Sequence, residues 1–178
     1  MNIALVAHDA RKKELCEWFG FNVETLSKHT LYATGTTARL LNEVICDYFA
    51  EHGMDNCGDF AVNGLLSGPL GGDAQISAMI AEGKVDILIF FCDNLITQGH
   101  QQDVGALSRL ASLYNIPFAT NRTTADMILT SNLFDNVEYN RIIPASINNY
   151  KNREIPLAKK EEIKEDENNI DLNTSEDD

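Results

Sequence analysis

The side chains of this sequence that can do chemistry gather where apolar runs stop. His8 and Asp9 follow N-I-A-L-V-A, with Lys12 one helical turn further on. Thr34, Gly35, Thr36 and Thr37 follow T-L-Y-A. Ser67, Gly68 and Asp73 lie in the stretch L-S-G-P-L-G-G-D, which follows the third run. Asp93 follows V-D-I-L-I-F-F, and the polar loop after it carries His100 and Asp103. T-G-T-T ahead of a helix suits an anion, because helix-start N–H groups and the helix dipole face it and the hydroxyls add donors. Lys12 adds a point charge. Glycines around Ser67 let the main chain approach a ligand closely. Several carboxylates near one anion suit a site in which one is a general base and the others fix histidines and lysines. An imidazole such as His100 polarises a carbonyl or shuttles a proton. Phosphate cradle, carboxylate base and imidazole together describe proton abstraction beside the carbonyl of a small phosphorylated ketone. The residues alone leave open which way the resulting enediolate goes. Each part also has a plain reading: Asp73 as a helix cap, T-G-T-T as a helix start, Lys12 and His100 as surface groups.

The elements that must position these groups follow from periodicity. Residues 2–7, 30–33, a run from Ala61 towards Leu66, 85–91 and 116–120 read as strands, the first buried on both faces and the fourth the plainest of them. Helices are predicted over about 10–19, after Thr37, over 74–83, up to about Tyr114 and over 124–129. A short strand at 141–143 and a helix at about 146–153 close the pattern. Strands alternating with helices imply βαβ units. The expected fold is a three-layer α/β domain, a parallel five-stranded sheet flanked by helices. In such a sheet ligands bind outside the carboxyl ends of the strands, which is the rim carrying the groups above.

A chain of 178 residues fits one domain. Net charge is −13, and residues 154–178 hold ten acids against three lysines. We expect an α/β domain over 1–153 and a solvated, disordered acidic extension over 154–178. With no basic stripe, nucleic acid is not an expected partner. No run of 18 apolar residues predicts a membrane span. Met1 leads straight into a strand, so no secretory leader is expected. The four cysteines lack C-x-x-C or matched histidine spacing, which argues against a metal site or disulfides and fits a reducing cytoplasm.

The strings A-L-V-A-H-D (4–9), L-Y-A-T-G-T-T (31–37), L-S-G-P-L-G-G-D (66–73), E-G-K-V-D-I-L-I-F-F (82–91), N-I-P-F-A-T-N (115–121) and T-A-D (124–126) occur in that order. In this the chain resembles the methylglyoxal synthases. The resemblance implies a flavodoxin-like three-layer fold and conversion of dihydroxyacetone phosphate to methylglyoxal and inorganic phosphate, without metal or organic cofactor. It places the catalytic base on Asp73. Phosphate binding falls on Lys12, Thr34, Gly35, Thr36, Thr37, Ser67 and Gly68. The carbonyl-side histidine is His100, supported by Asp103, and His8 lines the pocket. Asp9 and Asp93 are supporting groups. The family is typically a homohexamer, and Arg153 matches a C-terminal arginine proposed to reach a neighbouring site. The segment 47–62 is longer than expected for the family, the loop 94–102 lacks its prolines, and the acidic extension is additional.

Other readings of the same pattern remain. A non-catalytic phosphate or nucleotide effector module of this fold would keep T-G-T-T without needing Asp73, His100 and Asp103 together. A flavodoxin-like electron carrier would place its hydroxyl-rich loop after the first strand rather than the second. A phospho-receiver domain would need an acidic pair after strand one and a lysine after strand five, where this chain has His8-Asp9 and Asn121-Arg122.

Overall fold

The computed structural model describes residues 1–54, 59–95, 99, 101–136 and 138–154. Five parallel strands form one sheet in the order β3-β2-β1-β4-β5. They are β1 (Asn2–Ala7), β2 (Thr30–Ala33), β3 (Val62–Gly64), β4 (Ile87–Phe91) and β5 (Phe118–Ala119). Helices α1 (Lys12–Phe21), α2 (Val23–Leu26), α3 (Gly35–Glu51), α4 (Gly72–Ala81), α5 (Gln101–Leu113), α6 (Arg122–Leu129) and α7 (Ala145–Lys151) connect or follow them. Two 3-10 turns, Asp9–Arg11 and Gly68–Leu70, occupy the carboxyl rim.

Strand alternation sorts the core into two layers. Ile3, Leu5 and Ala7 of β1 and Ile87, Ile89 and Phe91 of β4 face α1, α3 and α6. Ala4 and Val6 with Leu88 and Phe90 face α4 and α5. Both faces are covered, which is why these strands read as continuous apolar runs. Each fully buried large side chain contributes about 1.5–3 kcal/mol over its exposed state. Trp18 is fully buried in the first layer, and its Nε1–H donates to Asp126 Oδ1 at 2.7 Å, tying α1 to α6. This explains T-A-D: Asp126 satisfies a buried donor. Asn121 caps α6 by accepting the Thr124 N–H at 3.0 Å.

The chain winds outward from β1 through β2 to β3, then crosses to β4 and β5 on the other side. The direction reverses between β1 and β4, which leaves a crevice at their carboxyl ends. The free margin of β3 is occupied by a side chain: Asn42 of α3 accepts the Val62 N–H at 2.8 Å and donates to its carbonyl at 3.1 Å.

Several expectations need correction. Residues 141–143 form no strand. β5 pairs over only two residues, so no ladder extends to receive them, and Ile142 is 77% exposed. Their main chain is met by side chains instead, with Asn115 Nδ2 donating to the Ile142 carbonyl at 3.0 Å. β3 is three residues long, because the chain leaves it to reach the Leu66 turn. α3 begins at Gly35 and α4 at Gly72, so Gly35, Thr36, Thr37 and Asp73 belong to helix first turns, with Thr34 just before α3. The short α2 was not anticipated; it buries Val23 and Leu26. Among the described residues no helix is long and apolar enough to cross a membrane.

Candidate active site

The turn from Leu66 to Asp73 ties two helix starts together through main-chain bonds. The Leu66 N–H donates to Gln75 Oε1 of α4 at 2.8 Å, and its carbonyl accepts the Gly35 N–H of α3 at 3.1 Å. The Ser67 carbonyl accepts from Leu70 at 2.9 Å and Gly72 at 3.0 Å. Gly71 adopts φ 106°, a left-handed conformation that favours glycine. A Cβ on Gly72 would fall 2.0 Å from the Leu66 carbonyl oxygen, so the turn closes onto α4 only around a glycine.

A cavity of about 580 Å³ opens above the β1–β4 crevice. Its anion side is the start of α3. Thr34 is the extended N-cap residue (φ −66°, ψ 146°), and its hydroxyl lies 3.4 Å from that of Thr37. Thr34 and Thr36 line the cavity, as do Ser67 and Gly68. Because Gly35 spends its N–H on Leu66, the first-turn amides left to meet an anion are those of Thr36 and Thr37. Lys12 and Asp9 line the cavity too, paired at 2.6 Å, with Asp9 95% exposed. The Lys12 side chain is 17% exposed, so the pair is open to solvent on the Asp9 side only.

Asp73 lines the same cavity and is 1% exposed. It sits in the first turn of α4, where the helix dipole favours a carboxylate, and the N-cap position belongs to Gly71. Asp103, in the first turn of α5, is exposed and reaches the cavity, as does Gly99. His100 lies outside the described residues.

His8 is 4% exposed and lines the cavity. Its main-chain N–H donates to the Phe91 carbonyl at 3.2 Å, and its ring meets Phe90 edge-on at 4.9 Å and 72°. Its Nδ1 accepts the Asp93 N–H at 2.8 Å. The Asp93 carboxylate turns back to accept the Leu95 N–H at 3.0 Å.

Four flagged residues stand away from the cavity lining: Gly35, Thr37, Asp93 and Arg153. Gly35 makes a tight approach, since a Cβ there would lie 3.1 Å from both the Leu65 carbonyl oxygen and Ser67 Oγ. Thr37 is buried beneath Thr34 at 1% exposure. The Arg153 guanidinium stacks 3.5 Å over the Tyr150 ring. Conversely, Val6, Ala7, Pro69 and Phe90 line the cavity and were not anticipated. Strand alternation carried the signal for Phe90, one residue before the end of β4 and on the α4 side. Burial pushes the neighbouring Cys92 thiol up to about 11, with Arg11 pulling the other way, which disfavours its thiolate.

Comparison with known proteins agrees with this geometry. Residues 14–120 match the family model of the MGS-like domain. The methylglyoxal synthase of Proteus mirabilis is 53% identical over 133 residues, covering 75% of this chain and 79% of that protein. That of Pectobacterium atrosepticum is 50% identical over 133 residues, with the same coverage. The crystal structure of methylglyoxal synthase from Elizabethkingia anophelis superposes with a TM-score of 0.72 at 41% identity, covering 88% of this chain and 93% of that one. A buried carboxylate in one cavity with a helix start, on a sheet that winds outward from its first strand, is here joined to sequence identity of about half, and the chain belongs to the methylglyoxal synthase family.

Proposed function

We propose that this chain converts dihydroxyacetone phosphate to methylglyoxal and inorganic phosphate. The observation that carries the reading is Asp73, a buried carboxylate in the same cavity as Thr34, Thr36, Lys12 and the Ser67-Gly68 turn. The phosphate rests on the start of α3, on Lys12 and on Ser67-Gly68. Asp73 takes a proton from the hydroxymethyl carbon, and charge develops on the carbonyl oxygen. His100, supported by Asp103, serves that end of the substrate; one donor aimed at developing charge supplies roughly 3–4 kcal/mol. A proton passes from the terminal hydroxyl to the former carbonyl oxygen. The terminal oxyanion then closes to an aldehyde, the double bond moves over, and the carbon–oxygen bond to phosphate breaks with its electron pair leaving on phosphate. The resulting enol takes a proton at its methylene carbon and gives one up at oxygen, yielding methylglyoxal. Elimination requires the bond to phosphate to stand across the π plane; an isomerase would hold it in the plane. The relatives' shared name supports elimination.

The test is incubation with dihydroxyacetone phosphate while methylglyoxal and inorganic phosphate are both measured. Equal molar release is expected. Glyceraldehyde 3-phosphate as the product, or no turnover, would refute the reading.

The same reading assigns catalysis to residues 1–153 and leaves 154–178 outside it. Inorganic phosphate, as product, competes for the cradle. The enzyme works in the cytoplasm, in keeping with four cysteines that lack metal or disulfide spacing. It assembles as a homo-oligomer, a hexamer by family likeness, with Arg153 directed towards a neighbouring copy. Leu66, Leu70 and Leu95, exposed by 50%, 72% and 97%, supply apolar surface for such a contact.

A further inference from the structure

We propose that the Asp93 main-chain amide locks His8 as a neutral imidazole with its proton on Nε2, making it a donor to the bound substrate that never changes charge. The proposal rests on the reaction above and concerns how that reaction is divided among its groups.

A main-chain N–H has only one protonation state. It points at His8 Nδ1 from 2.8 Å, so that nitrogen presents its lone pair. A neutral imidazole with a bare Nδ1 carries its proton on Nε2. Charging the ring would place a second proton on Nδ1 and set two N–H groups against each other at that distance. The ring has little room to swing away. It is packed edge-on against Phe90, the residue is 4% exposed, and its own N–H is held by the Phe91 carbonyl.

Among the described residues, the charged groups on the cavity and beside His8 come from several elements. Asp9 follows β1, Lys12 opens α1, Asp73 opens α4 and Asp103 opens α5, while Asp93 follows β4. The carboxylates favour an imidazolium and Lys12 opposes one. Lys12 and Asp9 are paired with each other at 2.6 Å, and the Asp93 carboxylate is engaged by the Leu95 amide. The Asp93 amide touches the ring nitrogen directly and has no alternative state, so it decides the outcome.

A donor of fixed charge polarises a substrate oxygen without surrendering its proton. The proton movements of the reaction then fall to groups that can change state, Asp73 among them. His8 is a catalytic residue in this scheme, and the Asp93 amide positions it.

The test is nitrogen NMR on the full chain labelled in its histidines, with the His8 signals assigned by their loss in His8→Gln. Spectra are taken between about pH 5.5 and 8, where a free imidazole changes charge, with and without inorganic phosphate. A protonated Nε2 and a bare Nδ1 throughout are expected. A charging midpoint inside that window, or a proton on Nδ1, would overturn the proposal. A second arm compares kcat/KM against pH for wild type and His8→Gln, which keeps an N–H donor that does not titrate. Parallel profiles are expected; disappearance of the acid limb in His8→Gln would equally overturn it. The NMR arm needs no turnover. A chain that makes no methylglyoxal yet shows the expected signals refutes the proposed reaction alone, and an active chain whose His8 charges in the window refutes this proposal alone.

Discussion

Replacing Gly72 by alanine should separate the base from the phosphate cradle. The added Cβ would lie 2.0 Å from the Leu66 carbonyl oxygen and 2.9 Å from its carbon. Carbon–oxygen contacts settle at about 3.3–3.6 Å, so the turn must open by roughly 1.3 Å. If Leu66 moves, it strains the 3.1 Å bond from the Gly35 amide and so disturbs the start of α3. If α4 moves instead, it carries Asp73 with it. Either way the carboxylate shifts by about an ångström relative to the anion site, and a misplacement of that size costs about 10²-fold in rate. Overpacking of this kind also destabilises by about 1–3 kcal/mol. The assay is initial-rate methylglyoxal formation, with urea unfolding to follow stability and phosphate calorimetry to report on the cradle. A Gly72→Ala variant within about threefold of wild-type kcat would refute the argument that this contact sets the distance between base and cradle.

The other expectations follow from single groups. Asp73→Asn keeps the shape and removes the base; turnover should fall roughly 10²–10⁴-fold while calorimetry shows phosphate still bound, and a loss under about tenfold would assign the base to another carboxylate. Lys12→Ala or Thr36→Val should weaken phosphate binding by about 1.5–3 kcal/mol, whereas His100→Ala should lower the rate at nearly unchanged phosphate affinity; the opposite pattern would reverse the orientation of the substrate. His29 is held below its ordinary range chiefly by burial, with Asp135, 3.0 Å away but outside hydrogen-bond geometry, pulling the other way. A histidine lowered on folding contributes stability above its unfolded value of about 6.5 and loses it as pH falls towards the folded value. Urea midpoints at acid and neutral pH should therefore show an acid-side loss that shrinks in His29→Gln, and an undiminished loss would rule out His29 as its source. Truncation after Arg153 should leave turnover within about twofold; a larger drop would bring the acidic stretch into the catalytic unit.

What the sequence revealed was the rim. An apolar run that stops at His8-Asp9 or at Asp93 marks a strand end directly, and alternating elements place those ends on one side. Helix starts were less visible, because propensity does not say that Gly35 and Gly72 already carry helical main chain: both are recruited by the Leu66 turn, a contact between segments about thirty residues apart in the first case. The expected strand at 141–143 failed for a similar reason, since an apolar triplet becomes a strand only where a partner offers its edge. Asp93 was flagged for its carboxylate and meets His8 through its amide, a contact that side-chain identity does not encode. Phe90 was read as core and is core, and it is cavity wall as well.

Asn42 bears on how copies of this chain can meet. Sheet proteins that leave a bare margin invite another chain to add a strand there. Here one margin is answered internally, since both main-chain groups of Val62 are taken by the Asn42 amide, and the opposite margin, β5, is only two residues long. Among the described residues, neither margin offers a long run of open main-chain groups. Short, partly answered margins of this kind favour association through side-chain surfaces, such as exposed Leu66 and Leu70, over growth by continuous strand addition.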